Sequence, residues 1–595
     1  MLAARSITAS RFVRGALTYV LSPLVSAAVG VALATAIVKS AAAATIAKPR
    51  VGIAPVVSES GKLSPDLVRM IERLQKAPAI DERDESKADA PGTPDVLAPG
   101  VGLPIAIRRL ENLLRSASGS QSAAIANALI ELRLAQSTLH TGSEQPSLNF
   151  AKVTYGHVKN AQTQLKLASN SPTANVQNSV LLDIQRNLTL ITQRAAKGIL
   201  DTARRAGVSS DRLASAEVSF QRGQAALSAL AYPVATAHFG DSLGFAANTI
   251  TFDVGLFEQN IIDAVDDQTV GYAFSITFNG QTYNGGHAGG LARTAYDMPV
   301  TSQSPDKDMH VASVSKTITT IVTLHLLDEL GLTPDEKVAP YLPSDWSLGA
   351  GVSNLSFKDF MTHETGFGQW GELGVSGSSY ESLRTLIGKD VGAHDFDYDN
   401  DNFGLLRVAV AGLLGVDPVD HGEFAPDSLT ASVFLLEAQF LYNSIGVSVD
   451  CKATDAYPTI QYRFPDPGAA GYDEPDRSLS CGGFGWFINA NELAGVMSTL
   501  RNTEQLMSTE MREQMQDDFL GFMNPANGYS SPNGVFGTYF THGGDWYHGS
   551  GQLHSCFMIF PIVVEAALLI NSERGASMAY QCNVLRDAFD NAWVP

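Results

Sequence analysis

The chain has 595 residues, of which 45% are hydrophobic and 17% are charged. It is therefore globular and long enough for about three to four units of ordinary domain size. Its net charge of -20 argues against nucleic acid as the main partner, because phosphate binding needs a basic face. The same charge disfavours binding of the soluble part to an anionic membrane surface.

The N-terminus, residues 1–47, has the pattern of a targeting segment. Three arginines precede an uncharged run over residues 15–38, and no acidic residue occurs before Glu59. This pattern predicts a secretory signal peptide or, because the run is long enough to cross a bilayer, an uncleaved membrane anchor. An organellar targeting peptide is the minority alternative. We expect an exported protein, periplasmic or extracellular, that is attached to the membrane if the segment is retained.

Residues 48–102 have the composition of a flexible linker. A short helix is predicted over residues 64–76, and a dense charge run with a Pro/Gly/Ala segment follows. From residue 103 to residue 251, apolar residues recur at helical spacing between clusters of turn-forming residues. This pattern predicts a bundle of four or five antiparallel helices that ends near Ala231, and no catalytic chemistry is visible in it.

Residues 252–595 have a mixed pattern that predicts an α+β domain. A helix is expected over residues 254–265, and residues 271–278 alternate as in a strand before Asn279-Gly280, a favoured hairpin dipeptide. Further strands are expected at residues 555–561 and 564–571, followed by a helix over residues 578–592. Strands at both ends of this region predict one antiparallel sheet, flanked by helices and assembled from distant segments.

Ser313 and Lys316 form a candidate catalytic pair at the start of an apolar run, residues 318–330. In a helix, residues i and i+3 share a face, so the amine lies beneath the hydroxyl. An amine in that position can take the proton of the hydroxyl and make the serine a nucleophile. This S-x-x-K spacing is common by chance, so its meaning depends on the rest of the chain.

The sequence around this pair closely resembles that of the serine beta-lactamase/penicillin-binding-protein superfamily. The resemblance is to the class C branch in particular, which includes D-aminopeptidases, DD-carboxypeptidases and esterases. The resemblance runs from Ala312-Ser313-Val314-Ser315-Lys316-Thr317 through Leu330-Gly331-Leu332 to Tyr341-Leu342-Pro343. It covers residues 252–595 and implies a beta-lactamase/transpeptidase-like fold, in which an all-α subdomain accompanies the antiparallel sheet. It also implies two further motifs across the cleft.

The second motif of this family is Y-x-N, which matches Tyr398 and Asn400. The resemblance implies that Tyr398 transfers protons to the leaving group and that Asn400 positions the substrate. A tyrosine beside an ammonium group suits proton transfer.

The third motif is Lys-Thr-Gly or His-x-Gly on a strand that lines the cleft, and two segments compete for it. His542-Gly543-Gly544 matches the His-x-Gly consensus better, whereas His548-Gly549-Ser550-Gly551 directly precedes a predicted strand. We prefer His548 here, with His542 and Gly544 as the alternative. The resemblance then implies that the backbone amides of Ser313 and Gly551 bind the oxyanion.

The four cysteines allow three pairings, and none forms a CxxC pair. A bridge between Cys451 and Cys481 would close a long loop rich in Pro, Asp and Tyr, which leaves Cys556 to pair with Cys582. Buried free thiols are the alternative. The residues contain no pattern typical of a metal site, so neither a metal nor another cofactor is expected.

These patterns predict a serine hydrolase that forms a covalent acyl-enzyme with an amide or ester. The expected substrate is a small molecule or peptide, namely a D-amino-acid peptide, a beta-lactam or a small ester. The alternative is a catalytically weak module for membrane-tethered binding or assembly, in which the helical bundle recruits an unidentified protein partner.

Overall fold

A computed structural model of the chain describes residues 64–74, 99–141, 147–170, 178–368, 378–524, 536, 539–549 and 551–595. The predicted targeting segment and most of the predicted linker lie outside these residues. Within the described ranges, no helix is long and apolar enough to cross a bilayer.

The first described helix is α1 (Pro65–Leu74). Its Leu67 and Ile71 are fully buried against Val416, Leu429 and Val433 of the C-terminal region, residues 251–595. Spacing of four residues places both side chains on one face of the helix, which explains how so short a segment docks. Residues 65–74 are therefore packed, although the composition of residues 48–102 predicts a flexible linker.

A helical region follows, with these described elements: α2 (Pro99–Leu114), α3 (Gly119–Thr141), α4 (Asn149–Ser169), α5 (Asn178–Arg205), α6 (Ser210–Ser228) and α7 (Tyr232–Ala247). The periodicity indicated four or five helices, and the additional one is α7. This helix is rich in alanine and glycine, and small residues give little contrast between a buried face and an exposed face. The bundle therefore extends beyond Ala231, where the pattern had predicted its end.

The C-terminal region begins with β1 (Thr251–Phe252) and α8 (Val254–Val265). The next strands are β2 (Gly271–Phe278), β3 (Gln281–Thr282), β4 (His287–Arg293), β5 (Thr301–Ser302) and β6 (Met309–His310). Asn279 and Gly280 both have positive φ, as a tight hairpin of type I′ requires, so the predicted β2–β3 hairpin is confirmed.

The middle of the region is mainly helical. Its described helices are α9 (Ser315–Glu329), α10 (Phe357–Met361), α11 (Tyr380–Ile387), α12 (Asp401–Leu413), α13 (Pro426–Asn443), α14 (Ala490–Asn502) and α15 (Thr509–Asp517). The remaining elements are β7 (Phe487–Ile488), β8 (Phe540–His548), β9 (Gly551–Ile559), β10 (Val564–Ile570), α16 (Gln581–Asp590) and β11 (Trp593–Val594).

The main sheet has the strand order β5-β4-β2-β10-β9-β8, with β3 paired to β2, and neighbouring strands are antiparallel. Strands from both ends of the region meet where β2 pairs with β10, so the predicted α+β architecture is confirmed. Helices α8 and α16 share a buried cluster with one face of the sheet and with the bundle, while α14 and the helical subdomain pack on the other side.

Two disulfides connect distant segments of this region. Cys451 is bonded to Cys481, and Cys556 of β9 is bonded to Cys582 of α16. This is the pairing favoured from the sequence. Disulfides of this kind are typical of proteins in an oxidising, exported compartment.

We predict that replacing Cys556 and Cys582 together by alanine destabilises the C-terminal region. The bond joins positions 26 residues apart, and a loop of that length corresponds to about 3–4 kcal/mol of the free energy of unfolding. Urea unfolding followed by tryptophan fluorescence measures the change. Unchanged stability of the double variant would contradict this prediction.

We further predict that Asp590→Asn weakens the pH dependence of stability. Burial raises the pKa of Asp590 from 3.8 to about 7, and the side chain accepts a hydrogen bond from Tyr539 at 2.5 Å. Because the folded state holds the proton more tightly than the unfolded state, the stability of the native chain falls as pH rises from about 4 to 7. Asparagine keeps the acceptor and does not titrate. Melting temperatures at pH 5 and 8 should therefore differ less for the variant than for the native chain, and an equal difference would contradict this account.

Candidate active site

Ser313 lies at the entrance to helix α9. A single 3-10 turn, Ala312–Val314, runs directly into the helix, and Ala312 has a positive φ of 44°. Such a backbone conformation is unusual for a residue with a side chain. The Ser313 side chain remains only 6% exposed at this turn, so its hydroxyl opens onto a narrow site and not onto bulk water.

Lys316 lies one turn further on and is completely buried. Its Nζ lies 3.2 Å from Ser313 Oγ, 2.5 Å from Asn400 Oδ1 and 2.8 Å from the carbonyl oxygen of Gly483. Three partners match the three N–H groups of an ammonium ion. The structure thus brings Ser313, Lys316 and Asn400 together, as the motif spacing predicts.

These partners also suit a neutral amine. The oxygens of Asn400 and Gly483 can only accept hydrogen bonds, and together they satisfy the two N–H groups of a neutral lysine. The third partner, Ser313, is a hydroxyl and can donate to the remaining lone pair. The same geometry therefore suits Lys316 both as an ammonium ion and as a neutral amine.

Tyr398 lies beside this pair. Lys316 Nζ is 4.5 Å from the centre of the Tyr398 ring, within the range of a cation–π contact. The segment that carries Tyr398 is held by His363, whose ring centre lies 4.5 Å from that of Tyr398. His363 Nδ1 accepts a hydrogen bond from the Asp399 amide at 3.1 Å. Burial, together with the charge of Lys316, lowers the pKa of His363 well below its usual value, which keeps this acceptor nitrogen unprotonated.

Gly483 belongs to a glycine-rich turn between Cys481 and β7. A side chain at Gly483 would lie 2.7 Å from the backbone oxygen of Asn400, so only glycine fits at this contact. The close approach brings the Gly483 carbonyl to Lys316. Nothing in the sequence of this turn indicates that a backbone oxygen would be a partner of the lysine.

The two candidates for the third motif lie at different places on β8. His542 is buried, its ring centre is 6.5 Å from that of Tyr398, and Gly544 is so close to the nucleophile that a Cβ there would lie 2.9 Å from Ser313 N. His548 is six residues further along the strand, about 20 Å from His542, and stacks on Tyr472 with ring centres 3.5 Å apart.

The preference for His548 and Gly551 therefore does not agree with the geometry, and His542 and Gly544 occupy the expected position. Gly551 pairs with His548 at the hairpin and approaches the backbone of Gln461. The sequence did not predict β8 because the dipeptide Gly543-Gly544 is unfavourable in a strand. His548 ends β8 and β9 follows it, so the predicted strand is present, but the residues that approach Ser313 lie earlier in β8.

The free edge of β8 presents main-chain groups that sequence reasoning missed. The Met523 amide donates to the carbonyl of Thr541 at 2.8 Å, on the edge of β8 that faces away from β9. Main-chain groups of an antiparallel strand alternate between its two edges. The amide of Asp545, four residues on, therefore lies on this same edge, next to Gly544. The Asp545 side chain accepts from His554 at 2.5 Å and from Gln581 at 3.0 Å, which anchors this part of the strand.

A family model described as Beta-lactamase matches residues 257–588. Among curated proteins, none matches the chain. One similar solved structure is the octameric penicillin-binding protein homologue from Pyrococcus abyssi, which is 17% identical with a TM-score of 0.41, covering 56% of this chain and 76% of that chain.

Two further solved structures are similar. The beta-lactamase/D-alanine carboxypeptidase from Yersinia pestis is 14% identical with a TM-score of 0.42, covering 57% of this chain and 99% of that chain. EstCE1, a hydrolase with promiscuous acyltransferase activity, is 14% identical with a TM-score of 0.40, covering 57% of this chain and 98% of that chain. The family match spans more than half of the chain and contains Ser313, Lys316, Tyr398, Asn400 and His542, and the chain therefore belongs to the beta-lactamase family.

Proposed function

We propose that the catalytic region is a serine hydrolase that acts on an amide or ester through a covalent acyl-enzyme. The observation that carries this proposal is the contact of 3.2 Å between Lys316 Nζ and Ser313 Oγ, inside a cluster that excludes water. A buried amine with a hydroxyl as its third partner can accept the hydroxyl proton during attack.

In the proposed first step, Ser313 Oγ forms a bond to the substrate carbonyl carbon while its proton passes to Lys316. The carbonyl oxygen becomes an oxyanion, which the amides of Ser313 and Asp545 stabilise. Such donors contribute about 3–4 kcal/mol each to the lowering of a barrier. Asp545 replaces Gly551 as the proposed second donor, because its amide lies on the free edge of β8 beside Gly544.

In the second step, the bond from the carbonyl carbon to the leaving atom breaks, and that atom takes up a proton relayed from Lys316 through Tyr398. Water then attacks the acyl-enzyme with the same groups acting in reverse, which releases the acid and restores the Ser313 hydroxyl. Asn400 keeps Lys316 in place, and His542 binds the substrate at the wall of the cleft. The two disulfides support placing this reaction in an exported, oxidising compartment.

We predict that a fluorophosphonate probe labels the full chain at Ser313 and that Ser313→Ala abolishes this labelling. The matched control is Ser315→Ala, two residues away, whose hydroxyl accepts a hydrogen bond from the Trp486 amide at 3.2 Å. Labelling should survive in the control. Mass spectrometry of the labelled peptide measures the outcome, and equal labelling of native chain and Ser313→Ala would exclude this proposal.

We predict that Gly544→Val reduces kcat/KM at least about a hundredfold, since a displaced oxyanion donor is worth about that factor. The new Cβ would meet the Val311 carbonyl at 2.6 Å and Ser313 N at 2.9 Å, so β8 has to move away from the nucleophile. Gly549→Ala, in the turn of the same hairpin, has no atom within 4 Å of its Cβ and should retain activity. Ester hydrolysis and circular dichroism of both variants provide the test, and a folded, fully active Gly544→Val variant would contradict the placement of the oxyanion donor.

A further inference from the structure

A groove runs across the helical bundle, in the part of the chain where the sequence shows no catalytic chemistry. It lies between residues 152–159 of α4 and residues 237–248 at the end of α7, and we refer to it as the α4–α7 groove. Its volume is about 270 Å³, close to the lower end of the range for pockets that bind small molecules, about 300 Å³. The groove is therefore large enough for a small ligand.

Three glycines keep the α4–α7 groove open, although helix packing does not require them. A Cβ at Gly156 or at Gly240 would have no atom of the described residues within 4 Å. A Cβ at Gly244 would make an ordinary contact with the Lys152 side chain, at 3.8 Å. A glycine inside a helix destabilises it relative to alanine. Since no neighbouring backbone explains these glycines, their effect is to leave free space in the groove.

Tyr155 lines the α4–α7 groove and is only 4% exposed. Among the residues that the structure describes, none forms a hydrogen bond with its hydroxyl. Burial raises the pKa of this hydroxyl, so it stays protonated and can donate. A buried polar group without a partner destabilises the fold, and an acceptor atom bound in the groove would supply the missing partner.

The charges of the α4–α7 groove favour an anion. Lys152 and Lys159 lie seven residues apart on one face of α4, and neither forms an ion pair with a described residue. Among the described residues that line the groove, Asp241 is the only acidic one. Two cations thus face one carboxylate, on a chain whose net charge is -20. The half-exposed ring of Phe245 adds an apolar surface beside them.

We propose that the α4–α7 groove binds a small organic anion, in which a carboxylate or phosphate is attached to an apolar body. The two lysines pair with the anionic oxygens, and the Tyr155 hydroxyl donates a hydrogen bond to one of them. The apolar body lies against Phe245, in the space that the glycines leave. This site belongs to the bundle, so the proposal does not depend on the proposed hydrolase function.

Phenylacetate and phenyl phosphate are the probes, and a ligand-detected NMR titration of the full chain gives their dissociation constants. We expect at least one of them to bind on the order of tenfold more tightly than benzyl alcohol, which has no charge. The same difference is expected from inorganic phosphate, which has no apolar body. The comparison of the two probes tells whether the groove prefers a carboxylate or a phosphate.

Two substitutions locate the binding. Gly240→Leu fills the groove and should weaken binding at least about tenfold. Gly495→Leu is the matched control, because it makes the same change in α14 at another glycine whose Cβ would have no described atom within 4 Å, and it should bind like the native chain. Tyr155→Phe removes only the hydroxyl and should weaken binding about fivefold.

Melting temperatures and circular dichroism of the variants accompany the titrations. Gly240→Leu should not lower the melting temperature, because leucine is a better helix former than glycine and the space is free. Binding of neither anion, equal binding of benzyl alcohol, or native affinity in a folded Gly240→Leu or Tyr155→Phe variant would each overturn the proposal. Tyr155→Phe keeps the ring in the core, so it decides the question even if Gly240→Leu does not fold.

Discussion

Burial of one ammonium group organises the active site. Lys316 has no exposed surface, and moving a charge from water into such a position costs several kcal/mol unless its hydrogen-bonding groups are satisfied. Lys316 forms hydrogen bonds with three segments of the chain. These are its own helical turn, the start of α12 at Asn400, and the glycine-rich turn at Gly483, which is 167 residues away in sequence. These segments have to meet for the charge to be tolerated. The requirement that stabilises Lys316 therefore also assembles the site around Ser313.

The surrounding fold supplies the rigidity that this arrangement needs. Strand β8 is at the edge of the main sheet, and β9 behind it is bonded to α16 through Cys556 and Cys582. The Ser555 hydroxyl donates to the Val311 carbonyl at 2.7 Å, which joins β9 to the turn that carries Ser313. Ser313 and the edge strand β8 are thus both attached to β9. The distance between Ser313 and β8 therefore stays nearly constant, because packed secondary structure moves little.

Electrostatics distinguish the two sides of the serine. On one side, Lys316 is a buried cation that contacts the oxygen atoms of Ser313, Asn400 and Gly483. On the other side, the buried His363 and His542 line a small space together with several aromatic rings. The charge of Lys316 contributes to both sides, since it lowers the pKa of His363 and His542. The Lys316 ammonium group therefore helps to keep the imidazoles of His363 and His542 neutral.

Local patterns were enough to predict much of this protein. Helical spacing placed Lys316 beneath Ser313, Asn279-Gly280 identified a hairpin, and the order of three motifs indicated the family and an α+β fold. These features depend on residues that are close in sequence, so they can be predicted from the sequence alone. The helix α7 escaped detection because its small residues show little amphipathic contrast, and β8 escaped because two glycines interrupt its strand pattern.

Tertiary structure alone decided which histidine lines the cleft and which backbone groups serve it. His542 and His548 stand six residues apart with similar glycine-rich flanks, and only the position of β8 beside Ser313 separates them. The Gly483 carbonyl and the free amide edge of β8 carry no side-chain signature, since every residue has a carbonyl group and nearly every residue has an amide. Sequence thus predicted that Ser313, Lys316 and the Tyr-x-Asn motif belong to one site, and the structure brings them together. The opposite wall of the site, with His542 and Gly544, followed from the pairing of strands, because distance and desolvation are properties of the folded chain.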